Sequence, residues 1–136
     1  MSGKTNLKEI LQSINPHLLD EYFVFITSNE PIEDLINSLN PKATFLEDEG
    51  NTLVITQRDA DEHAIEYDSV FKCISLGVHS SLESYGLIST ITKELAKNKI
   101  SSNIFSGFFH DHIFVQNNLA KKALKVISLL ESSSDF

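Results

Sequence analysis

The chain of 136 residues holds a single cysteine, Cys73, which excludes an internal disulfide and a cysteine-based zinc cluster. Cys73 falls in an apolar run, where an inert core thiol is the expected role. Basic residues are scarce as well. Eleven Lys and Arg stand against 19 Asp and Glu, a formal charge of -8, so the chain lacks the electrostatic footprint of a protein that binds nucleic acid or an anionic membrane. Between Lys42 and Asp68 two basic residues face eight acidic ones, a net of -6, which reads as a solvated face. Nowhere do the roughly 18 apolar residues of a membrane span follow one another, and MSGKTNLKEILQSINP has no apolar stretch of the export-signal kind. A cytoplasmic protein is therefore expected. The nucleophile elbow G-x-S-x-G is also missing, so Ser80 or Ser81, His79 or His110, and Asp111 supply the side-chain types of a hydrolase without its motif. No enzyme and no cofactor is expected.

What is present is an ordinary balance for a folded protein, 41% apolar and 22% charged, in a length that suits one domain or two small fused ones. Leu7, Ile10, Leu11 and Ile14 keep the spacing of one helix face, with Asn6 and Glu9 as a capping signal and Pro16 as a stop. Tyr22 to Thr27 is a strand, apolar on both faces. Behind Pro31, the residues Ile32, Leu35, Ile36 and Leu39 repeat the helical rhythm up to Pro41. Ala43–Leu46 and Thr52–Thr56 flank an acidic turn. That turn lacks the alternating oxygen ligands of a calcium loop. Asp59 and Glu62 are placed to cap a short helix through Ile65.

The second half repeats the order. Val70 to Val78 is a strand, and Leu87, Ile88, Ile91 and Leu95 form a helical stripe. Ile100–Phe109 and His112–Gln116 are expected to form a hairpin turning at His110-Asp111, and Leu119 to Leu130 a last helix. Residues 21–66 and 70–130 thus both read β-α-β-β-α, an internal repeat visible in order and spacing. The expected fold class is α+β: ferredoxin-like units with antiparallel sheets and helices on one face. We divide the chain into an N-terminal helix (1–16), a first copy (17–69) and a second (70–136). The second copy has no strand of its own left to close its sheet, so strands are expected to be shared between copies or between subunits.

The run HSSLESYGLISTITKELAKNKISSNIFSGFFHDHIFV resembles tandem ACT-domain proteins of a small bacterial family of uncharacterised function, and TFLEDEGNTLVI resembles that family's first-copy hairpin. The family is similar to the regulatory ACT modules of amino-acid metabolism. The resemblance implies a ligand, an amino acid, bound where a strand-to-helix loop meets another copy, a homo-oligomer such as a dimer, and a signal passed to a separate effector protein. Tyr85 precedes Gly86 where the regulatory pattern usually has Pro-Gly.

On these residues the ligand-binding set is Ser80, Ser81, Glu83, Ser84, Gly86, Leu87 and Asn103. Gly86 leaves room at a helix start whose free N–H groups suit a carboxylate. The serines offer hydroxyls, Glu83 a carboxylate for an ammonium group, and Asn103 a hydrogen bond to either end of an amino acid. Ser80 with Glu83 also spells a capping box, and one loop can serve both purposes. His110 and His112 are lesser candidates for a metal, because alternate strand residues share a side. Two histidines fall short of a site, and a His- and Asp-rich turn is the plainer reading. An interaction module without a ligand is the alternative function.

Overall fold

The computed structural model describes residues 6–132. Asn6 accepts a hydrogen bond from the Glu9 amide at 3.0 Å and caps helix α1, Leu7–Gln12. The helix stops before Pro16, and that proline opens strand β1, Pro16–Ser28, since a strand's first residue needs no donor there. The strand expected at Tyr22–Thr27 is therefore the end of a much longer one. Helix α2, Ile32–Leu39, follows Pro31 and ends at Asn40 in the left-handed region. Strands β2, Ala43–Glu47, and β3, Gly50–Thr56, form the acidic hairpin. Helix α3, Gln57–Glu62, is capped by the Thr56 hydroxyl, which accepts from the Asp59 amide, so it starts earlier than the Asp59 signal placed it. Strand β4, Phe71–Leu76, helix α4, Leu87–Lys97, strands β5, Asn103–Ser106, and β6, Asp111–Gln116, and helix α5, Ala120–Ser132, complete the chain.

Two compact units emerge, one of residues 1–19 with 72–136 and the other of residues 20–71. In the second of these, the strands run β2-β3-β1 with antiparallel pairing throughout, Phe23 opposite Thr56 and Phe45 opposite Thr52. Alternation sends Val24, Ile26, Leu53 and Ile55 to one face, where they pack with Leu35 and Leu39 of α2 and Ala60 of α3.

In the other unit the order is β1, β4, β6, β5, and β1 enters through its residues 16–19. The missing strand of the second repeat is therefore taken from early in the same chain. Ile74, Leu76, Ile113 and Val115 form the sheet side of its core, closed by Ile10 and Leu11 of α1, Leu87, Ile91 and Leu95 of α4, and Ala123 and Ile127 of α5. The helical stripe of α4 matches its expected residues, with Ile88 partly buried beside them. On the opposite sheet face Phe114 is buried edge-on to Phe105, and His112 Nδ1 lies 2.8 Å from the Ser75 hydroxyl.

Candidate functional site

The chain leaving β4 is tied down at once: the Gly77 amide donates to the Asn15 carbonyl at 2.9 Å and the Val78 amide to the Ile14 carbonyl at 3.2 Å. It then makes a serine turn. The Ser84 amide and hydroxyl both donate to the Ser81 carbonyl, at 3.0 and 2.7 Å, and the Glu83 amide donates to the Ser81 hydroxyl at 3.2 Å. Seven residues after Ser80, α4 begins at Leu87. Its N-cap is Gly86, at φ 102° and ψ -25°, and no side chain caps it. The capping box expected of Ser80 and Glu83 is therefore not formed, because these residues close a turn of their own before the helix starts. The first-turn hydroxyls of Ser89 and Thr90 point back to the Gly86 carbonyl, at 3.1 and 2.6 Å, which leaves the first amides of the helix to the cleft.

That cleft has a volume of about 380 Å³. One wall is the turn and helix start, with Ser80, Ser81, Ser84, Tyr85, Gly86 and Leu87. The other is the β5–β6 connection, with Ser106, Gly107, His110 and Asp111. Five of the seven candidate ligand residues line it; Glu83 and Asn103 do not. Glu83 is exposed, and Asn103 lies opposite Phe114 at the far end of β5 from Ser106.

The hairpin turns at residues 107–110, closed by the Gly107 amide donating to the His110 carbonyl at 2.9 Å, rather than at His110-Asp111. Asp111 is the first residue of β6 and only 8% exposed. It shares strand parity with the core residues Ile113 and Val115, a signal that could have marked it as inward-facing. Its side chain has no hydrogen-bond or ion-pair partner among the described residues, and its oxygens remain accessible from the cleft. His110 is exposed in the turn, while His112 is bonded to Ser75 on the opposite sheet face. Among the described residues, no group of three His, Cys, Asp or Glu could hold a metal ion.

A larger cleft, about 740 Å³, lies in the unit of residues 20–71. Its walls carry Glu21, Asp59, Asp61 and Glu62 against one cation, Arg58, already paired with Glu62 at 3.2 Å. Such a lining repels a carboxylate, so the smaller cleft is the better candidate. None of the described helices is long and apolar enough to cross a membrane.

Two β-α-β-β-α units, each a sheet with helices packed on one face, define a tandem of ferredoxin-like modules. The chain belongs to the ACT domain family, which matches residues 2–72 and, a second time, residues 68–128. No curated protein matches the chain. Among solved structures it is similar to a protein of unknown function from Vibrio cholerae, described as a possible transport protein, at 39% identity over 92% of this chain and 95% of that one, with a TM-score of 0.84. A protein from Agobacterium tumefaciens, 17% identical over 87% and 89% of the two chains, has a TM-score of 0.69. Aspartokinase alpha and beta subunits share the fold at 9% identity over 88% of this chain and 98% of that one, with a TM-score of 0.62. ACT domains are typically regulatory modules that bind small molecules such as amino acids, and they are not themselves catalytic.

Proposed function

We propose that this protein is an amino-acid-binding regulatory module, with the ligand held in the cleft at the β4-to-α4 turn. The observation that carries the reading is the uncapped start of α4, an eleven-residue helix, opening into a cleft walled by hydroxyls. Helix amides and their partial positive charge suit an α-carboxylate there, and Gly86, at φ 102°, permits the turn that starts the helix. Ser80, Ser81 and Ser84 flank it, with Leu87 as an apolar floor. The signal passes to a separate effector protein in the cytoplasm, without nucleic acid or membrane. A thermal-shift screen against the twenty amino acids tests this. One amino acid at about a hundred times its Kd stabilises the protein by roughly 2.7 kcal/mol. A flat response to all twenty favours the interaction-module alternative.

The module acts as a homodimer, and the edge strand β2 supports this. Phe45 and Leu46 are 62% and 65% exposed on the outer strand of their unit, a template for strand pairing. Outward-facing backbone groups recur at every second residue, so a two-fold antiparallel pairing must centre on a residue. Centring on Phe45 pairs the whole strand and sets Lys42 opposite Asp48 of the partner subunit, twice per dimer. Size-exclusion chromatography with light scattering tests it: Lys42→Glu gives monomer and Lys42→Glu with Asp48→Lys restores the dimer. A monomeric wild type refutes it.

A further inference from the structure

We infer that Asp111 is the ammonium-binding group of the cleft and that the ligand is an amino acid with a neutral, polar side chain. This rests on reading the cleft as an amino-acid site and supplies what that reading lacks, a fixed negative charge. Asp111 is more than nine-tenths buried, lines the cleft and has no partner among the described residues. A carboxylate so placed, with no cation or donor of its own among the described residues and its oxygens reachable from the cleft, is available to accept from a ligand's ammonium group. The α4 amides on the facing wall supply the opposite polarity. The two ends of a zwitterion therefore have separate, complementary seats: carboxylate at the helix start, ammonium at Asp111.

The remaining lining sets the side-chain class. It contains neither Lys nor Arg, and its one basic side chain, His110, carries no permanent charge, so an acidic side chain would meet Asp111 without a fixed cation to neutralise it. The hydroxyls of Ser80 and Ser106 have no partner among the described residues, whereas Ser84 and Ser89 spend theirs on backbone carbonyls. Two open hydroxyls match a hydroxyl or amide side chain on the ligand.

Isothermal titration of the full chain with serine, threonine, asparagine, glutamine, leucine, aspartate, glutamate and 3-hydroxypropionate, the last lacking the ammonium group, tests this. A neutral polar amino acid is expected to bind tightest, and Asp111→Asn is expected to weaken it roughly ten- to a hundred-fold, the worth of a charge-assisted hydrogen bond. The wild-type panel decides the matter even if Asp111→Asn does not fold. Tightest binding of aspartate, glutamate or leucine, equal binding of 3-hydroxypropionate and serine, or an unchanged Kd in a folded Asp111→Asn overturns the inference and leaves the amino-acid site standing. Binding of none of these compounds, with a flat thermal-shift screen, overturns both.

Discussion

Substituting Gly86 by Ala tests the conformation on which the cleft depends. At φ 102° Gly86 lies where an L-residue is strained, a cost of about 1–3 kcal/mol. A β-carbon there would also lie 2.8 Å from Leu7 Cδ2 and 3.3 Å from Cδ1. Those are the far atoms of a flexible side chain, so relief takes an off-rotamer shift of about 0.5–1.5 kcal/mol. Together they give roughly 2–4 kcal/mol, and at about 4 °C per kcal/mol for a chain of this length the melting temperature drops by roughly 8–16 °C. Urea unfolding followed by circular dichroism measures the loss. Adding Leu7→Ala separates the two contributions, because the steric part vanishes in the double variant and appears as a coupling of about 0.5–1.5 kcal/mol. A Gly86→Ala protein within about 0.5 kcal/mol of wild type refutes the strain argument, and zero coupling refutes the contact with α1.

Ile91 is fully buried between α4 and the sheet, so Ile91→Ala is expected to cost about 2–5 kcal/mol by urea unfolding. Once a ligand is in hand, Glu83→Ala and Asn103→Ala are expected to leave its Kd within about twofold, since neither lines the cleft, whereas Ser80→Ala weakens it by roughly threefold to tenfold through one lost hydrogen bond. Lys42→Glu is expected to shift the light-scattering mass to that of a monomer at micromolar concentration and Asp48→Lys to reverse it, the coupling that separates charge pairing from general destabilisation. Phe45→Asp, which places like charges on the two-fold axis, is expected to be monomeric while melting within a few degrees of wild type, as suits a residue 62% exposed.

Much of the fold was legible because periodicity reports burial. The stripes of α1 and α4 named their core residues, and that of α2 named Leu35 and Leu39, although its Ile36 is 45% exposed at the edge of the stripe; the order of elements exposed the repeat. What failed were boundaries set by distant partners. Helix α1 does stop before Pro16, but Pro16 also begins a 13-residue strand, whose opening residues belong to a unit built mostly from residue 72 onward. Ser80 and Glu83 have the spacing of a capping box, but a local serine turn satisfies them first. The candidate loop was found from the sequence. Its buried carboxylate was not, since a hairpin read as turning at His110-Asp111 puts Asp111 in water, while the actual turn ends one residue earlier and points it inward.

The division of β1 between the two units has a consequence for biosynthesis. Residues 20–71 carry the whole of their own unit, so that unit can close as soon as its last residue emerges. The other cannot: the Asn15 amide waits for the Glu131 carboxylate, which accepts from it at 2.7 Å across 116 residues of sequence, roughly 6–23 s at about 5–20 residues per second. Over that interval Ile10, Leu11 and Ile14, all fully buried in the finished protein, trail from the nascent chain as an unprotected apolar stripe. Residues 10–14 therefore gain their shelter only once the elements built from residue 72 onward have been made.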